Sequence, residues 1–241
     1  MKEDAMGNGQ LKPAYNLQHG LDSEYITWLT IGPQPTDTTT LIPFLKDAEN
    51  HLKFKYKNIT ADAGYESEEN YQFLESNGQI SYIKPANYEI SKTRKYRNDI
   101  GKIENMEYDE EVDVYTCRND KKLKVHNIRH SISKTGYVSE KTIYKCENCD
   151  ACPYKKECIK GNNCKTPLDE RTKTLQVAKT FLKYRQEDLE RILSEEGILF
   201  RTNRSIQAEG SFGDLKQDMQ FCRYLSKGTT NVLAESTLLA M

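Results

Sequence analysis

The order of strand-like and helix-like segments in the first 84 residues is the feature that most constrains the fold of this chain. Period-two alternation predicts strands, and apolar residues three and four apart predict helices. The predicted segments are, in chain order, strands over 15–21 and 25–31, a helix over 38–52, a strand over 57–62, a helix over 67–77 and a strand over 81–83. Strands that alternate with helices in this way indicate an α/β sheet.

The middle of the chain has a different composition, and the last part returns to helical spacing. A basic stretch over 84–102 precedes an acidic one over 104–113, and alternating segments between 115 and 145 predict a small antiparallel sheet. Helical periodicity resumes at residue 175. We therefore predict that residues 1–84 and 171–241 form one α/β core, and that residues 85–170 form a β-rich insertion within it.

Four cysteines in the predicted insertion have the spacing C-x2-C-x2-C-x5-C. They are Cys146, Cys149, Cys152 and Cys158. Two-residue gaps allow a tight turn to direct two thiolates at one ion, and four sulfurs complete a tetrahedral Zn²⁺ site. We predict a structural zinc, because four protein ligands leave no open position for a substrate. Loose thiols, a disulfide set and an iron–sulfur cluster are the alternatives.

The remaining three cysteines lie outside this spacing. Cys164 is an alternative to Cys158 as the fourth metal ligand. Cys117 and Cys222 are interpreted as ordinary small apolar residues, the commonest role of a free cysteine in a protein interior.

Charge and hydropathy narrow the class of protein. The 241 residues carry a net charge of −1, so binding to nucleic acid would depend on local basic patches. No apolar run approaches the roughly 20 residues of a membrane span. The N-terminal residues 1–4 lack the basic-then-apolar layout of a signal peptide. These features predict a cytoplasmic protein with reduced cysteines and no membrane association.

Asp62 and Glu209 are the candidate catalytic carboxylates. Asp62 follows a predicted buried strand, and the nearby Gly64 allows a backbone or a ligand to approach it closely. Glu209 lies on a predicted helix seven residues before Lys216, so the two project from one helix face roughly 10 Å apart. Taken singly, Asp62 is a turn aspartate and Glu209 a solvated glutamate. Together they are able to share a divalent ion for phosphoryl chemistry on nucleic acid.

The segments 61–67 and 203–216 are similar to the motifs of bacterial insertion-sequence transposases with a DDE catalytic domain. The cysteine-bearing insertion resembles the same subfamily, and the resemblance spans nearly the whole chain. It implies an RNase H-like core in which three acids hold two Mg²⁺ (or Mn²⁺) ions for DNA strand cleavage and transfer at transposon ends. On this resemblance Asp62 corresponds to the second acid, Glu209 to the third, and Lys216 to a contact with DNA phosphate.

Two positions depart from the family pattern. The first acid belongs on a strand upstream of residues 15–21, where this chain offers only Asp4, close to the terminus; Asp22, in a turn, is the nearest replacement. The family arginine stands four residues before the glutamate, where this chain has Ser205, and Arg204 is five residues before it. We therefore expect a truncated fragment of a transposase that is poorly active on its own.

The sequence thus predicts a DDE transposase with DNA as its partner, and homo-oligomers are compatible with that function. The alternative is a non-catalytic, zinc-stabilised module that binds DNA or another protein. The basic stretch over 84–102, with Tyr88 and Tyr96 among its cations, is the feature that favours this alternative. A solvated charged surface explains the same stretch without any ligand.

Overall fold

The computed structural model of the chain describes residues 2–3, 9–12, 14–23, 25–161, 164–213, 221 and 223–241. The chain divides into two units. The first comprises Met1–Pro85 and Glu187–Met241, and the second comprises Ala86–Gln186. Among the described residues, no helix is both long enough and apolar enough to cross a membrane.

The first unit contains both strands and helices. Its elements before the second unit are β1 (Lys2–Glu3), β2 (Leu11–Lys12), β3 (Asn16–Asp22), β4 (Tyr25–Gly32), α1 (Leu41–Leu52), β5 (Asn58–Ala61), α2 (Glu68–Ser76) and β6 (Ile80–Ile83). The predicted strands and helices of the first 84 residues are confirmed. The helix predicted from residue 38 begins instead at Leu41, because a 3₁₀ turn over Asp37–Thr39 precedes it.

The strands of the first unit form pairs. β3 and β4 make an antiparallel hairpin, and β5 and β6 run parallel. β1 and β2 also form a two-stranded antiparallel sheet. In the described part of the chain these pairs are separate two-stranded sheets. The mixed α/β class is therefore confirmed, while the RNase H-like arrangement of these strands stays a prediction.

The β5–α2–β6 segment follows directly from its sequence. Ile59 and Ala61 are two positions apart and share one face of β5, and both are buried. The Ser67 hydroxyl caps α2 by accepting a hydrogen bond from the backbone N–H of Asn70 at 3.1 Å. The turn that carries Asp62 therefore lies between the carboxyl end of β5 and the capped start of α2.

The second unit is organised around a five-stranded antiparallel sheet with the strand order β11-β10-β9-β8-β7. Its elements are α3 (Tyr88–Ser91), α4 (Arg94–Arg97), β7 (Glu107–Asp109), β8 (Val114–Thr116), β9 (Lys122–Ile132), β10 (Val138–Cys146), α5 (Lys155–Cys158) and β11 (Thr174–Val177). One face of the sheet carries the core. The core residues are Met106, Tyr115, Leu123, Tyr144, Cys146, Leu175 and Val177.

Three helices complete the chain: α6 (Lys179–Leu193), α7 (Glu195–Gly213) and α8 (Thr229–Leu239). The boundary between the two units falls within α6, between residues 186 and 187. The part of α6 in the first unit carries Asp188, which is fully buried.

Asp188 holds α6 against β6. Its carboxylate accepts hydrogen bonds from the Ser81 hydroxyl and from the backbone N–H of Ile83, the latter at 2.6 Å. The Arg191 guanidinium donates to the same carboxylate at 3.1 Å. Burial raises the pKa of Asp188, and these hydrogen bonds and the Arg191 charge act in the opposite direction. The carboxylate thus satisfies the Ile83 N–H, which faces away from β5.

Replacement of Asp188 should destabilise the first unit. Asp188→Ala leaves Arg191 and the Ile83 N–H without their buried acceptor, and we expect a loss of about 3–5 kcal/mol in the free energy of unfolding. Asp188→Asn keeps an acceptor but removes the charge, so its loss should be smaller. Urea denaturation measures both. An Asp188→Ala variant as stable as the parent protein would contradict this role.

Candidate active site

Asp62 lies immediately after the carboxyl end of β5, as predicted. It precedes a 3₁₀ turn over Ala63–Tyr65, and its Oδ1 accepts a hydrogen bond from the backbone N–H of Gly64 at 2.9 Å. The side chain is 45% exposed. The turn therefore holds the carboxylate in a fixed direction while leaving it accessible to solvent and to a ligand.

Arg204 of α7 is the cation beside Asp62. Its Nη2 donates to Asp62 Oδ2 at 3.0 Å. Because both side chains are partly exposed, solvent weakens this ion pair. The sequence analysis did not anticipate this contact, since it compared Arg204 only with Glu209 on the same helix.

One stripe of α7 makes the contacts with the strands of the first unit. Glu196 accepts a hydrogen bond from the Tyr82 hydroxyl at 2.9 Å, and the rings of Phe200 and Tyr82 pack edge to face. Further along α7, Arg204 meets Asp62, and the Ser211 hydroxyl lies 3.1 Å from His19 Nδ1. Separations of four, four and seven residues place these α7 residues on one helical face.

Glu209 lies off this stripe. Five residues separate it from Arg204, which corresponds to about 140° around the helix and about 7.5 Å along its axis. The side chain is exposed, and Glu209 Oε1 accepts a hydrogen bond from the Ser205 hydroxyl at 2.8 Å. That Asp62 and Glu209 share one metal ion stays a prediction. Lys216, the third predicted catalytic residue, lies outside the described residues.

Asp37 is a second carboxylate at the Asp62 turn that the sequence analysis did not identify. A Cβ on Gly64 would lie 3.0 Å from Asp37 Oδ2 and 3.1 Å from Asp62 Oδ1. The two oxygens are therefore separated by at most the sum of those distances, about 6 Å. A side chain at Gly64 would occupy the space between the two carboxylates, so one of them would have to shift by a few tenths of an ångström.

The β3–β4 hairpin orients Asp37. Asn16 donates to Asp37 Oδ1 at 2.6 Å and Gln18 donates to the same oxygen at 3.3 Å, which leaves Oδ2 towards Gly64. The Tyr65 hydroxyl donates to Gln18. Burial, followed by the charges of Asp37 and Asp62, raises the pKa of Tyr65, so this phenol stays protonated as a donor. The two carboxylates thus belong to one hydrogen-bonded group.

Asp22 lies at the other end of β3. It is exposed, accepts a hydrogen bond from the Ser23 hydroxyl at 3.0 Å and pairs with Tyr25. Six residues of strand separate it from Asn16, or roughly 20 Å at the usual rise. This distance makes Asp22 unsuitable as a partner of Asp62 and useful as a control position.

The four predicted zinc ligands lie in the second unit, and their surroundings differ. Cys146 is buried in the core, while Cys149 and Cys158 pack against it partly buried. The Cys149 sulfur accepts the backbone N–H of Lys173 at 3.3 Å. Burial, and then a hydrogen bond with Cys149, raises the pKa of Cys146 to about 12, so its thiol is protonated in this arrangement.

Cys117 lies with these cysteines, although the spacing pattern left it out. It packs against the same core, and its charge raises the pKa of both Cys146 and Cys158. Cys164, by contrast, is exposed. Cys222 lies outside the described residues. Within the described ranges, no group of three or more His, Cys, Asp or Glu side chains is arranged to hold a metal ion.

The burial of His19 predicts a pH dependence of stability. Burial lowers the pKa of His19 from 6.5 to about 4, so the folded chain keeps a neutral imidazole where the unfolded chain binds a proton. Stability should therefore fall as the pH falls from 6.5 towards 4. His19→Gln should remove this component of the decrease. Urea midpoints at neutral and acidic pH test this, with exposed His126→Gln as the control; identical pH profiles for both variants would contradict it.

Comparison with known proteins assigns the chain to a family. The family model described as a transposase DDE domain matches residues 116–241, which is more than half of the chain. No curated protein and no solved structure gives a significant match. The matched region contains the cysteine cluster and Glu209, whereas Asp62 and Asp37 precede it. The extent of this match shows that the chain belongs to the transposase DDE domain family.

Proposed function

We propose that this chain supplies the metal-binding centre for DNA strand cleavage and transfer, the reaction of DDE transposases. The family match carries the proposal, and the carboxylates around Gly64 give it a location. Neither the match nor any other comparison favours the alternative of a non-catalytic zinc module. The substrate would be duplex DNA with transposon ends.

The group of residues around Gly64 suits a hard divalent cation. Mg²⁺ and Mn²⁺ prefer carboxylate oxygens and water, and the Asp62 oxygens are partly exposed beside the Asp37 carboxylate. Asp62 would be a direct ligand, and Asp37 would increase the negative potential that attracts the cation. Asp62 and Asp37 would hold the ion where it would supply Lewis-acid polarisation of a phosphoryl oxygen and stabilisation of charge on the leaving oxygen.

Arg204 has a defined role in this proposal. It neutralises Asp62 in the structure, so a cation that binds Asp62 Oδ2 must compete with the guanidinium. Arg204 would then be available to contact a DNA phosphate, for which its planar guanidinium is well suited. Ion binding and DNA binding would thus be coupled through one side chain.

Glu209 and Lys216 complete the proposed centre. Both correspond to family motif positions, and Glu209 would act as a further metal ligand and Lys216 as a phosphate contact. Because Glu209 lies about 140° around α7 from Arg204, this role requires α7 to rotate or to shift when metal and DNA bind. The Glu209 side chain is exposed, and its hydrogen-bond partner Ser205 lies on the same helix. Neither feature ties Glu209 to another element.

We further propose that the strands carrying this centre belong to an RNase H-like core, formed by residues 1–84 and 171–241. The residues between them form the insertion. A zinc ion held by cysteines 146, 149, 152 and 158 would stabilise that insertion, because closed thiolate sites contribute directly to folding. Three of these four cysteines, Cys146, Cys149 and Cys158, lie in or against one core, which supports this assignment.

The catalytic proposal is tested by metal affinity together with cleavage. Asp62→Asn should weaken Mn²⁺ binding and reduce Mg²⁺-dependent cleavage of DNA with matched element ends by on the order of 10²–10³. Asp37→Asn should weaken Mn²⁺ binding roughly ten- to a hundredfold, as loss of a supporting carboxylate usually does. Arg204→Gln should strengthen Mn²⁺ binding, because it removes the competing cation.

Calorimetry with Mn²⁺ provides a measurement that does not depend on turnover. Asp22→Asn serves as the matched control, since it removes an aspartate at the distant end of β3. If Asp62→Asn and Asp22→Asn bind Mn²⁺ as tightly as the parent chain, the proposed centre is wrong. If Arg204→Gln alone has no effect, the ion does not compete for Asp62 Oδ2.

The zinc assignment gives a separate prediction. Protein purified under reducing conditions should contain one Zn²⁺ per chain, and its removal should destabilise the second unit by several kcal/mol. Cys149→Ser should lower the zinc content, whereas exposed Cys164→Ser should not. Elemental analysis decides the matter, and reduced protein without metal would refute the assignment.

A further inference from the structure

The β9–β10 hairpin extends beyond the sheet to which it belongs. β9 pairs with β8 through Lys122 and Leu123, and β10 pairs with β11 only from Thr142 onward. In the described part of the chain, residues 129–132 and 138–141 pair only with each other, and Ile128 pairs with Thr142 at the base of the hairpin. We call residues 128–141 the ribbon. Beyond these pairs its two edges carry no further strand, and at its base Lys141 lines a cavity together with Glu104 and Phe181.

The tip of the ribbon is a well-defined turn. The backbone N–H of Ser133 donates to the Tyr137 carbonyl at 2.8 Å, and the Tyr137 N–H donates to the Ser133 hydroxyl at 3.0 Å. Gly136 has a φ of +88°, which suits the left-handed position of a three-residue hairpin loop. The ribbon is therefore a continuous antiparallel hairpin up to its tip.

The two faces of the ribbon differ in chemistry. One face carries exposed apolar side chains, from Ile128, Ile132 and Val138, together with the pair His130 and Glu140. The opposite face carries the cross-strand pairs Arg129 with Lys141 and Ser131 with Ser139. The two serine hydroxyls lie 2.8 Å apart. This second face, which we call the basic face, presents two cations and two hydroxyls and no carboxylate from the ladder.

The Arg129–Lys141 pair is unfavourable in the protein alone. Like charges directly opposite on neighbouring strands destabilise a hairpin. Further towards the sheet, Lys124 also lies opposite Lys145. Residues 122–146 contain six Lys or Arg residues and one Glu, in a chain whose net charge is −1. Repulsion of this kind is relieved by a polyanion that lies across both strands.

The dimensions of the ribbon suit a DNA groove. The six pairs from Asn127–Ile143 to Ile132–Val138 span roughly 17 Å at the usual strand rise. The major groove of B-DNA, about 12 Å wide, admits a two-stranded β-ribbon. Arginine, lysine and serine side chains are common donors to phosphates and to base edges.

We propose that the ribbon is a contact surface for duplex DNA, with the basic face against the phosphates and base edges of the major groove. This deepens the proposed function, on which it rests, by naming a second DNA contact that belongs to the second unit. The Ile128, Ile132 and Val138 face would then lie towards the sugar edges or remain in solvent. A second copy of the chain that pairs with the ribbon edge is the competing occupant.

Fluorescence anisotropy tests the proposal with the full chain, a labelled duplex and no divalent metal. Arg129→Gln with Lys141→Gln should weaken binding about tenfold or more near 0.1 M salt. The slope of log affinity against log salt should fall by about 2, since each lost phosphate contact removes close to one unit. Lys121→Gln with Lys156→Gln, an exposed pair in the same unit, is the charge-matched control and should cause a clearly smaller change.

The outcomes separate this proposal from the catalytic one. If the parent chain binds DNA and the Arg129/Lys141 variant binds equally well, the ribbon assignment is wrong while the Asp62 centre is unaffected. If both double variants weaken binding equally, the effect is general charge and the ribbon is not the contact. If the parent chain does not bind duplex at low salt, or if the ribbon variant changes only sedimentation, the ribbon does not contact DNA. Asp22→Asn, the control aspartate at the exposed end of β3, should bind duplex as the parent chain does in each case.

Discussion

The buried carboxylate of Asp188 is the constraint on which the first unit depends. It accepts the hydrogen bond from the Ile83 N–H that a neighbouring strand would otherwise accept. Its hydrogen bonds with Ser81 and Arg191 further hold α6 beside β6. Because α7 follows α6 after a single residue, the position of Asp188 also determines where α7 begins. The contact therefore links the parallel β5–β6 pair to the helix that carries Arg204 and Glu209.

The surroundings of Asp62 result from three parts of the chain that are distant in sequence. The β3–β4 hairpin holds Asp37 through Asn16 and Gln18, β5 presents Asp62, and α7 contributes Arg204. Two carboxylates within about 6 Å of each other repel, and the nearby guanidinium balances that repulsion. The same arrangement makes the site responsive to a cation, since any ion that binds there replaces an existing charge interaction.

Local chemistry determined how much could be predicted from the sequence. The alternation of Ile59 and Ala61, the cap at Ser67 and the turn after Asp22 depend on neighbouring residues, and the predicted β5, α2 and hairpin are found. Asp37, Arg204, Cys117 and Asp188 carry no such local signal. Their roles arise from contacts between residues about 20 or more positions apart in the sequence, or, for Cys117, from a β8–β9 turn that brings it to the core. A spacing pattern within one segment does not contain that information.

The near-neutral net charge of the chain conceals local clusters of opposite charge. The hairpin over 122–146 is strongly basic, whereas the segment over 104–113 is acidic, and the Asp37–Asp62 pair forms a compact anionic site. A nucleic-acid enzyme needs both signs, because cations must attract phosphate while carboxylates must retain a metal ion beside it. The basic ribbon belongs to the second unit and the carboxylate pair to the first, so each cluster of charge is built by contacts within its own unit.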